Sequence, residues 1–99
     1  MHIITQTRLR LFWKEHPDSQ SSLQLWFTRA KNADWQNISE IRRVYPSADK
    51  TGRLTVFNIH GNAYRLIVRI EYARQEIYIR HILTHAEYDK EDWKNDAWY

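Results

Sequence analysis

The fold is decided by the stretch RLTVFNIHGNAYRLIVRIEYARQEIYIRHIL, residues 53–83. Within it, three segments alternate apolar and polar residues, as β-strands with one buried face do. These segments are Arg53–Ile59, Ala63–Tyr72 and Glu76–Leu83. Residues 60–62 (HGN) and 73–75 (ARQ) separate them at the length of hairpin turns. Two successive hairpins predict a three-stranded antiparallel meander.

Apolar residues recur at helical spacing before this meander. The expected elements are an edge strand at Met1–Ile4 and helices at Thr5–His16, Ser19–Ala33 and Asn37–Tyr45. Pro17 and Pro46 end the first and third helices, and Ser47–Gly52 is predicted to be a polar loop. Helices followed by strands indicate an α+β fold. We therefore expect N-terminal helices on one face of a small twisted antiparallel sheet, with the other face open.

The length and composition restrict the class of protein. A chain of 99 residues predicts a single domain spanning residues 1–99. It has no Cys, which excludes disulfides and thiolate metal sites and fits a reducing compartment. The opening residues contain no apolar run long enough for a signal peptide, and no segment is apolar over the length that crosses a bilayer. We expect a soluble, cytoplasmic protein with no membrane partner.

The net charge of +3 is unevenly distributed along the chain. Residues 87–99 carry five acids and two bases, so the first 86 residues carry a net charge of +6. Ten of the fifteen bases are Arg, whose guanidinium matches the geometry of a phosphate. Such a basic body suits a polyanion partner. Residues 91–99 are expected to be an acidic tail or a short helix.

Strict alternation assigns the strand side chains to the two faces of the sheet. The helix side of the middle strand is assigned Tyr64, Leu66, Val68 and Ile70. The open side is assigned Arg65, Ile67, Arg69 and Glu71. In the third strand, Tyr78, Arg80, Ile82 and Thr84 are expected on one face, and Ile77, Ile79, His81 and Leu83 on the opposite face.

The hairpin register adds Asn58 to the open face. If residues 61–62 form the loop, Asn58 pairs with Arg65 and the apolar residues stay together. The open face then carries Asn58, Arg65, Arg69 and Arg80. Several Arg on adjacent strands repel one another unless an anion or a carboxylate lies among them. Both a phosphate site and structural ion pairs with Glu71 remain possible interpretations.

The run THAEYDK, residues 84–90, contains the side chains suited to proton transfer. An imidazole can exchange protons with a ribose hydroxyl, and a phenol or an ammonium group can donate to a phosphate, so His85, Tyr88 and Lys90 are candidates for these roles. One helical turn here would put His85 and Tyr88 on one side. The alternative is structural, with His85 at the end of the sheet and Tyr88 packed on the helices. No metal or cofactor is expected, because no ligand cluster and no Gly-rich phosphate loop occur.

Three stretches together resemble the HigB toxin family, a branch of the RelE-like toxins of type II toxin–antitoxin systems. They are VFNIHGNAYRLIV at 56–68, YIR at 78–80 and THAEYDK at 84–90. The opening MHIIT and the stretch VYPSAD at 44–49 are similar as well. The resemblance covers most of the chain but not residues 91–99.

The resemblance implies a RelE-like fold and a ribosome-dependent mRNA interferase that a helix-turn-helix, HigA-like antitoxin holds inactive. Such toxins use no metal: the ribose 2′-OH attacks the adjacent phosphate and leaves a 2′,3′-cyclic phosphate and a 5′-OH. The implied catalytic residues are Arg65 and Arg80 on the phosphate, His85 as acid or base, and Tyr88 on the nucleotide. The RNA-binding candidates are Lys50, Arg53, Asn58, Arg69 and Lys90. This chain lacks the lysine cluster that some relatives carry before the second strand, and Lys50 and Arg53 are the only bases near that place.

Two alternatives come from other functional classes. A non-catalytic RNA-binding or protein-interaction module would use the same Arg-bearing face only to grip an anion. A helical partner-binding domain would have no role in nucleic-acid chemistry. Proton-transfer groups distinguish these classes, because replacing His85 should abolish the activity of an enzyme and leave anion or partner binding unchanged.

Overall fold

A five-stranded sheet carries the fold, with the strand order β1-β5-β4-β3-β2. The computed structural model describes all residues, 1–99. The strands are β1 (His2–Ile4), β2 (Asp49–Thr51), β3 (Leu54–Ile59), β4 (Tyr64–Glu71) and β5 (Glu76–Thr84). The predicted meander is confirmed, and so is its register, because Asn58 pairs with Arg65.

The sheet is mixed rather than purely antiparallel. Strand β1 runs parallel to β5, whereas the other neighbouring pairs are antiparallel. The predicted loop Ser47–Gly52 also contains a strand, because β2 pairs with β3. A three-residue strand shows too little alternation to be recognised in the sequence. The α+β class is confirmed.

The predicted helices are present with slightly shorter bounds. They are α1 (Thr7–Glu15), α2 (Gln20–Asn32) and α3 (Ile38–Val44). Pro17 begins a 3₁₀ turn, Pro17–Ser19, that leads into α2. Asn37 caps α3, because its side chain accepts a hydrogen bond from the Glu40 backbone N–H at 3.0 Å. None of the helices has the length and apolar composition that crossing a membrane requires.

The main core lies between these helices and the sheet. Its fully buried side chains include Leu9, Leu23, Trp26, Ile41, Phe57, Leu66, Val68 and Ile77. Burying each large side chain of this kind contributes about 1.5–3 kcal/mol. This rigid layer supports the opposite face of the sheet, where Arg65 lies.

A β-bulge in β5 reverses the expected alternation. Ile67 pairs with His81 and the next residue, Val68, pairs with Ile79, so Arg80 is an extra residue. Beyond the bulge, Ile82 packs against the main core, and Leu83 packs with Ile67 on the other face. The predicted faces of His81, Ile82 and Leu83 are therefore wrong, since one extra residue exchanges the two sides of a strand.

The C-terminal segment, residues 91–99, covers much of the face that was expected to be open. It contains a short 3₁₀ helix, Asp92–Asn95, and its Trp93 is only 4% exposed. Trp93 packs in a second, smaller core with Leu54, Val56 and Ile67. The segment is thus docked on the sheet and contains a short helix, one of its two expected forms.

Candidate active site

Arg65 lies at the hairpin end of β4 and is only 7% exposed. Its guanidinium donates hydrogen bonds to the carbonyl oxygens of Asn62 at 3.0 Å and Tyr64 at 3.2 Å. It takes part in none of the ion pairs of the molecule. A nearly buried cation without a carboxylate partner attracts an anion strongly, because neither water nor a counter-charge compensates it.

His85 is hydrogen-bonded to Arg65. The Nη2 atom of Arg65 lies 3.1 Å from Nδ1 of His85. A guanidinium has no acceptor, so Nδ1 accepts and the proton of the neutral imidazole is assigned to Nε2. Nε2 lies 3.2 Å from Oδ2 of Asp89, and 51% of the His85 side chain is exposed. The hydrogen bond to Arg65 therefore orients the imidazole at Nδ1, and Asp89 lies beside Nε2 on the exposed side.

Tyr88 completes the cluster from the same side. The Arg65 guanidinium lies over its ring, 5.2 Å from the centroid. The ring also stacks on Trp93, with centroids 5.2 Å apart and planes at 12°. The indole N–H of Trp93 donates to the Tyr88 carbonyl oxygen at 3.0 Å. The His85 imidazole and the Tyr88 ring thus both contact the Arg65 guanidinium.

The short helix α4 (His85–Asp89) brings His85 and Tyr88 to Arg65. A capping box begins it: the Thr84 hydroxyl accepts from the Glu87 N–H at 3.2 Å, and the Glu87 carboxylate accepts from the Thr84 N–H at 2.9 Å. The second of these hydrogen bonds lowers the pKa of Glu87 below its ordinary value. The helical turn that the spacing of His85 and Tyr88 would require is present, and both side chains contact Arg65.

Asn62 was not among the expected site residues. Its Oδ1 accepts hydrogen bonds from Asn58 at 3.3 Å and from Arg65 at 3.5 Å. In the sequence, Asn62 reads as an ordinary turn residue beside Gly61, which adopts a positive φ of 63°. Only the pairing of β3 with β4 shows that it links Asn58 to Arg65.

Arg80 lies apart from this cluster and is paired with a carboxylate. It donates two hydrogen bonds to Asp96, at 2.9 and 2.8 Å, and its guanidinium lies 4.1 Å from the centroid of the Trp98 ring. The expectation that Arg80 adds free charge beside Arg65 needs correction, because Asp96 neutralises it. His81 also contacts Asp96, at 2.7 Å.

Asp96 is the most buried partner in these contacts, with 2% of its side chain exposed. The hydrogen bonds from Arg80, supported by those from the Trp98 backbone N–H and from His81, hold the pKa of Asp96 well below its ordinary value. Asp96 therefore stays ionised and fastens the C-terminal segment to β5.

The remaining basic candidates lie away from Arg65. Lys50, Arg53 and Arg69 line one cleft beside the sheet. Arg53 donates to the Ala97 carbonyl oxygen at 3.0 Å, and Arg69 forms an ion pair with Glu71 at 2.8 Å. Arg69 follows Arg65 by four residues along β4, a distance of about 13 Å. Among these three, only Lys50 has neither a hydrogen bond nor an ion pair from its side chain.

Lys90 is exposed at the end of α4. It lines a separate cleft with Leu83 and Trp93. Of the five RNA-binding candidates, Asn58 is linked to Arg65 by hydrogen bonds through Asn62, and Lys90 lines a cleft with Trp93, which stacks on Tyr88. No group of three or more His, Asp or Glu side chains is arranged to hold a metal ion.

A sequence profile described as "HigB_toxin, RelE-like toxic component of a toxin-antitoxin system" matches residues 19–91. The chain belongs to the HigB toxin family. Curated HigB relatives include the mRNA interferase toxin HigB of Escherichia coli K12, which is 30% identical over 92 residues, or 90% of this chain and 88% of the relative. The mRNA interferase HigB of Shigella flexneri gives the same values. The mRNA interferase HigB of Escherichia coli O6:H1 is 28% identical over 93 residues, or 91% and 90%.

The range matched by the HigB profile ends at residue 91, just after α4. Arg65, His85 and Tyr88 lie inside the matched range, whereas Trp93 and Asp96 lie beyond it. The resemblance drawn from residues 56–68, 78–80 and 84–90 is thus confirmed at the level of the HigB family. The roles of individual residues stay predictions.

Proposed function

We propose that this chain is the mRNA-cleaving toxin of a toxin–antitoxin system and that Arg65, His85 and Tyr88 cut the RNA. The observation that carries the proposal is the nearly buried, unneutralised Arg65 guanidinium, hydrogen-bonded to one imidazole and packed over one phenol. Membership of the HigB family supports it, as do curated relatives named mRNA interferases.

Arg65 stabilises the negative charge that develops on the reacting phosphate group. The ribose 2′ oxygen forms a bond to the adjacent phosphorus and the bond from phosphorus to the 5′ oxygen breaks, which leaves a 2′,3′-cyclic phosphate. Negative charge accumulates on the non-bridging oxygens in between. Because the turn carbonyls of Asn62 and Tyr64 already hold the guanidinium, its reorganisation during the reaction is small.

His85 accepts the proton of the attacking 2′-OH. In the free protein its Nδ1 is occupied by the Arg65 N–H. A phosphate oxygen is a charged acceptor and competes with the neutral Nδ1 for that donor. Substrate binding would thus transfer the Nη2 donor of Arg65 from Nδ1 to the phosphate, while Nη1 stays bonded to the turn carbonyls, and would free Nδ1 for the 2′-OH proton. The departing 5′ oxygen takes a proton from solvent and becomes the 5′-OH.

Tyr88 and the outlying bases bind the RNA around the reacting phosphate. The Tyr88 hydroxyl donates a hydrogen bond to the nucleotide. Asn58, which the hydrogen bond to Asn62 holds beside Arg65, contacts the same nucleotide. The bases assigned to flanking phosphates are Lys50, Arg53, Arg69 and Lys90. In this proposal the ribosome presents the mRNA in the cytoplasm, and a helix-turn-helix, HigA-like antitoxin blocks the toxin.

Expression without antitoxin tests the proposal. Induction of the wild-type chain should arrest bacterial growth and produce message fragments with 2′,3′-cyclic phosphate ends. Arg65→Ala should do neither, while Arg43→Ala, an exposed base on α3, serves as the matched control and should behave as wild type. Normal growth with intact message at confirmed expression would refute the toxin assignment. Binding of RNA without cyclic phosphate ends would favour the non-catalytic module.

A further inference from the structure

We infer that Trp93 is a positioning residue for Tyr88, so that the C-terminal segment forms part of the active site. The inference rests on the proposed roles of Arg65 and Tyr88. Trp93 lies beyond residues 19–91, the range that the HigB family profile matches. Its assignment therefore depends on contacts within this structure alone.

Two contacts join Trp93 to Tyr88, one to the side chain and one to the backbone. The rings stack nearly parallel, at 12°, and the indole N–H donates to the Tyr88 carbonyl oxygen at 3.0 Å. The stacking restricts rotation of the phenol ring, and the hydrogen bond holds the end of α4. Together they determine where the Tyr88 hydroxyl lies relative to the Arg65 guanidinium, which is 5.2 Å from the ring centroid.

Helix α4 needs such a support because it has only five residues. A helix of this length is unstable by itself and takes its position from contacts at its ends. The capping box at Thr84 holds the first end, next to His85. Trp93 holds the second end, next to Tyr88. Without Trp93, His85 would remain anchored while Tyr88 would lose its fixed orientation.

The sheet in turn fixes Trp93. Its indole is 4% exposed and packs on Leu54, Val56 and Ile67, whose strands form the rigid centre of the domain. A second tryptophan of the same segment, Trp98, provides an internal comparison. Trp98 packs on the same small core and lies against Arg80 and Tyr78, but no ring stacking or cation–π contact joins it to Tyr88 or Arg65. The two tryptophans therefore separate positioning of Tyr88 from general docking of the segment.

Paired variants test the inference in the full chain. Trp93→Leu should lower the single-turnover cleavage rate at least about tenfold with little change in KM, because the reacting groups lose their alignment. Trp93→Phe retains the stacking and should recover most of that rate. Trp98→Leu should lower the melting temperature as well but keep the rate of the folded protein. Equal rates for Trp93→Leu and Trp98→Leu would overturn the inference.

A double-mutant cycle and an NMR measurement separate this inference from the proposed function. If Trp93 acts through Tyr88, Trp93→Leu should cost little further rate in a Tyr88→Phe background. The Tyr88 ring resonances should shift in Trp93→Leu and stay in place in Trp98→Leu. An unchanged cost of Trp93→Leu in the Tyr88→Phe background would refute positioning while leaving RNA cleavage intact. A Tyr88→Phe protein with the wild-type rate would refute the proposed role of Tyr88 itself, and the inference with it.

Discussion

Two arginines on neighbouring strands of the same sheet show how similar residues acquire different roles. Arg65 and Arg80 each lie over an aromatic ring, Tyr88 and Trp98 respectively. Arg80 meets Asp96, a carboxylate with 2% of its side chain exposed, whereas Arg65 meets only carbonyl oxygens, an amide and an imidazole. A neutralised cation holds the structure together. A cation that stays unneutralised is available to an anionic substrate.

The largest expected effect on the cleavage rate comes from replacing His85, whose imidazole is hydrogen-bonded to Arg65. His85→Gln should lower the cleavage rate by about 10²–10⁴-fold, because it removes the proton acceptor while an amide oxygen remains to accept from Arg65. His60→Gln is the matched control, since His60 is 50% exposed and lies outside the cluster. Single-turnover rates and melting temperatures should be measured on the same preparations. A fall in melting temperature with an unchanged rate would give His85 a structural role.

Removing each guanidinium in turn tests the comparison directly. Arg65→Ala should lower the cleavage rate by about 10²–10³-fold, the cost of losing a preorganised donor to a developing oxyanion. Arg80→Ala should instead leave the buried Asp96 carboxylate without its main partner and destabilise the fold by about 2–3 kcal/mol. The rate per folded Arg80→Ala molecule should change only a few-fold, because Trp93 keeps its own contacts.

Chemical denaturation and cleavage assays on both variants check this prediction. A stable, fully active Arg65→Ala protein would show that the reaction centre lies elsewhere. An Arg80→Ala protein that is stable but inactive would show that Arg80 acts on RNA rather than on Asp96.

The Asp96 side of the comparison predicts a pH dependence of stability. The pKa of Asp96 is lowered in the folded protein, so the carboxylate stabilises the fold above the ordinary Asp range. As pH falls below about 4, this stabilisation should be lost progressively. Asp96→Asn should lower the free energy of unfolding at neutral pH by about 2 kcal/mol and flatten its decline in acid. Asp92→Asn, an exposed change in the same segment, should leave the curve of free energy against pH unaltered.

Smaller effects, on RNA affinity, are expected at the basic side chains away from Arg65, which also differ in whether a carboxylate neutralises them. Lys50 is exposed and outside every ion pair, whereas Arg69 is paired with Glu71. Lys50→Gln should weaken RNA binding a few-fold and reduce the slope of log affinity against log salt by about 1. Arg69→Gln should change both less. Affinity measurements at several salt concentrations check this order, and a larger effect at Arg69 would reverse it.

Removing metal ions with a chelator should leave the cleavage rate unchanged. The proposed step uses only Arg65, His85 and Tyr88, so cleavage should continue in EDTA, in an assay that keeps ribosomes intact or uses a ribosome-free RNA substrate. Loss of activity that one particular metal restores would contradict the proposed mechanism.

Alternation and turn residues were enough to predict the meander and the Asn58–Arg65 register. These features depend on neighbours within a few residues, where periodicity and turn preferences act. The same stretches carried the resemblance to the HigB family. Arg65 and His85 could therefore be paired as candidates before any contact between them was known.

The bulge at Arg80 and the docking of residues 91–99 were decided by the tertiary structure alone. A bulge leaves no local pattern, yet one extra residue moved His81 and Leu83 onto the face of Arg65. Asp96 finds Arg80 and His81 only after the chain has turned back over the sheet. Whether a charge is free or neutralised depends on such long-range partners, so composition identified the arginines and packing separated Arg65 from Arg80.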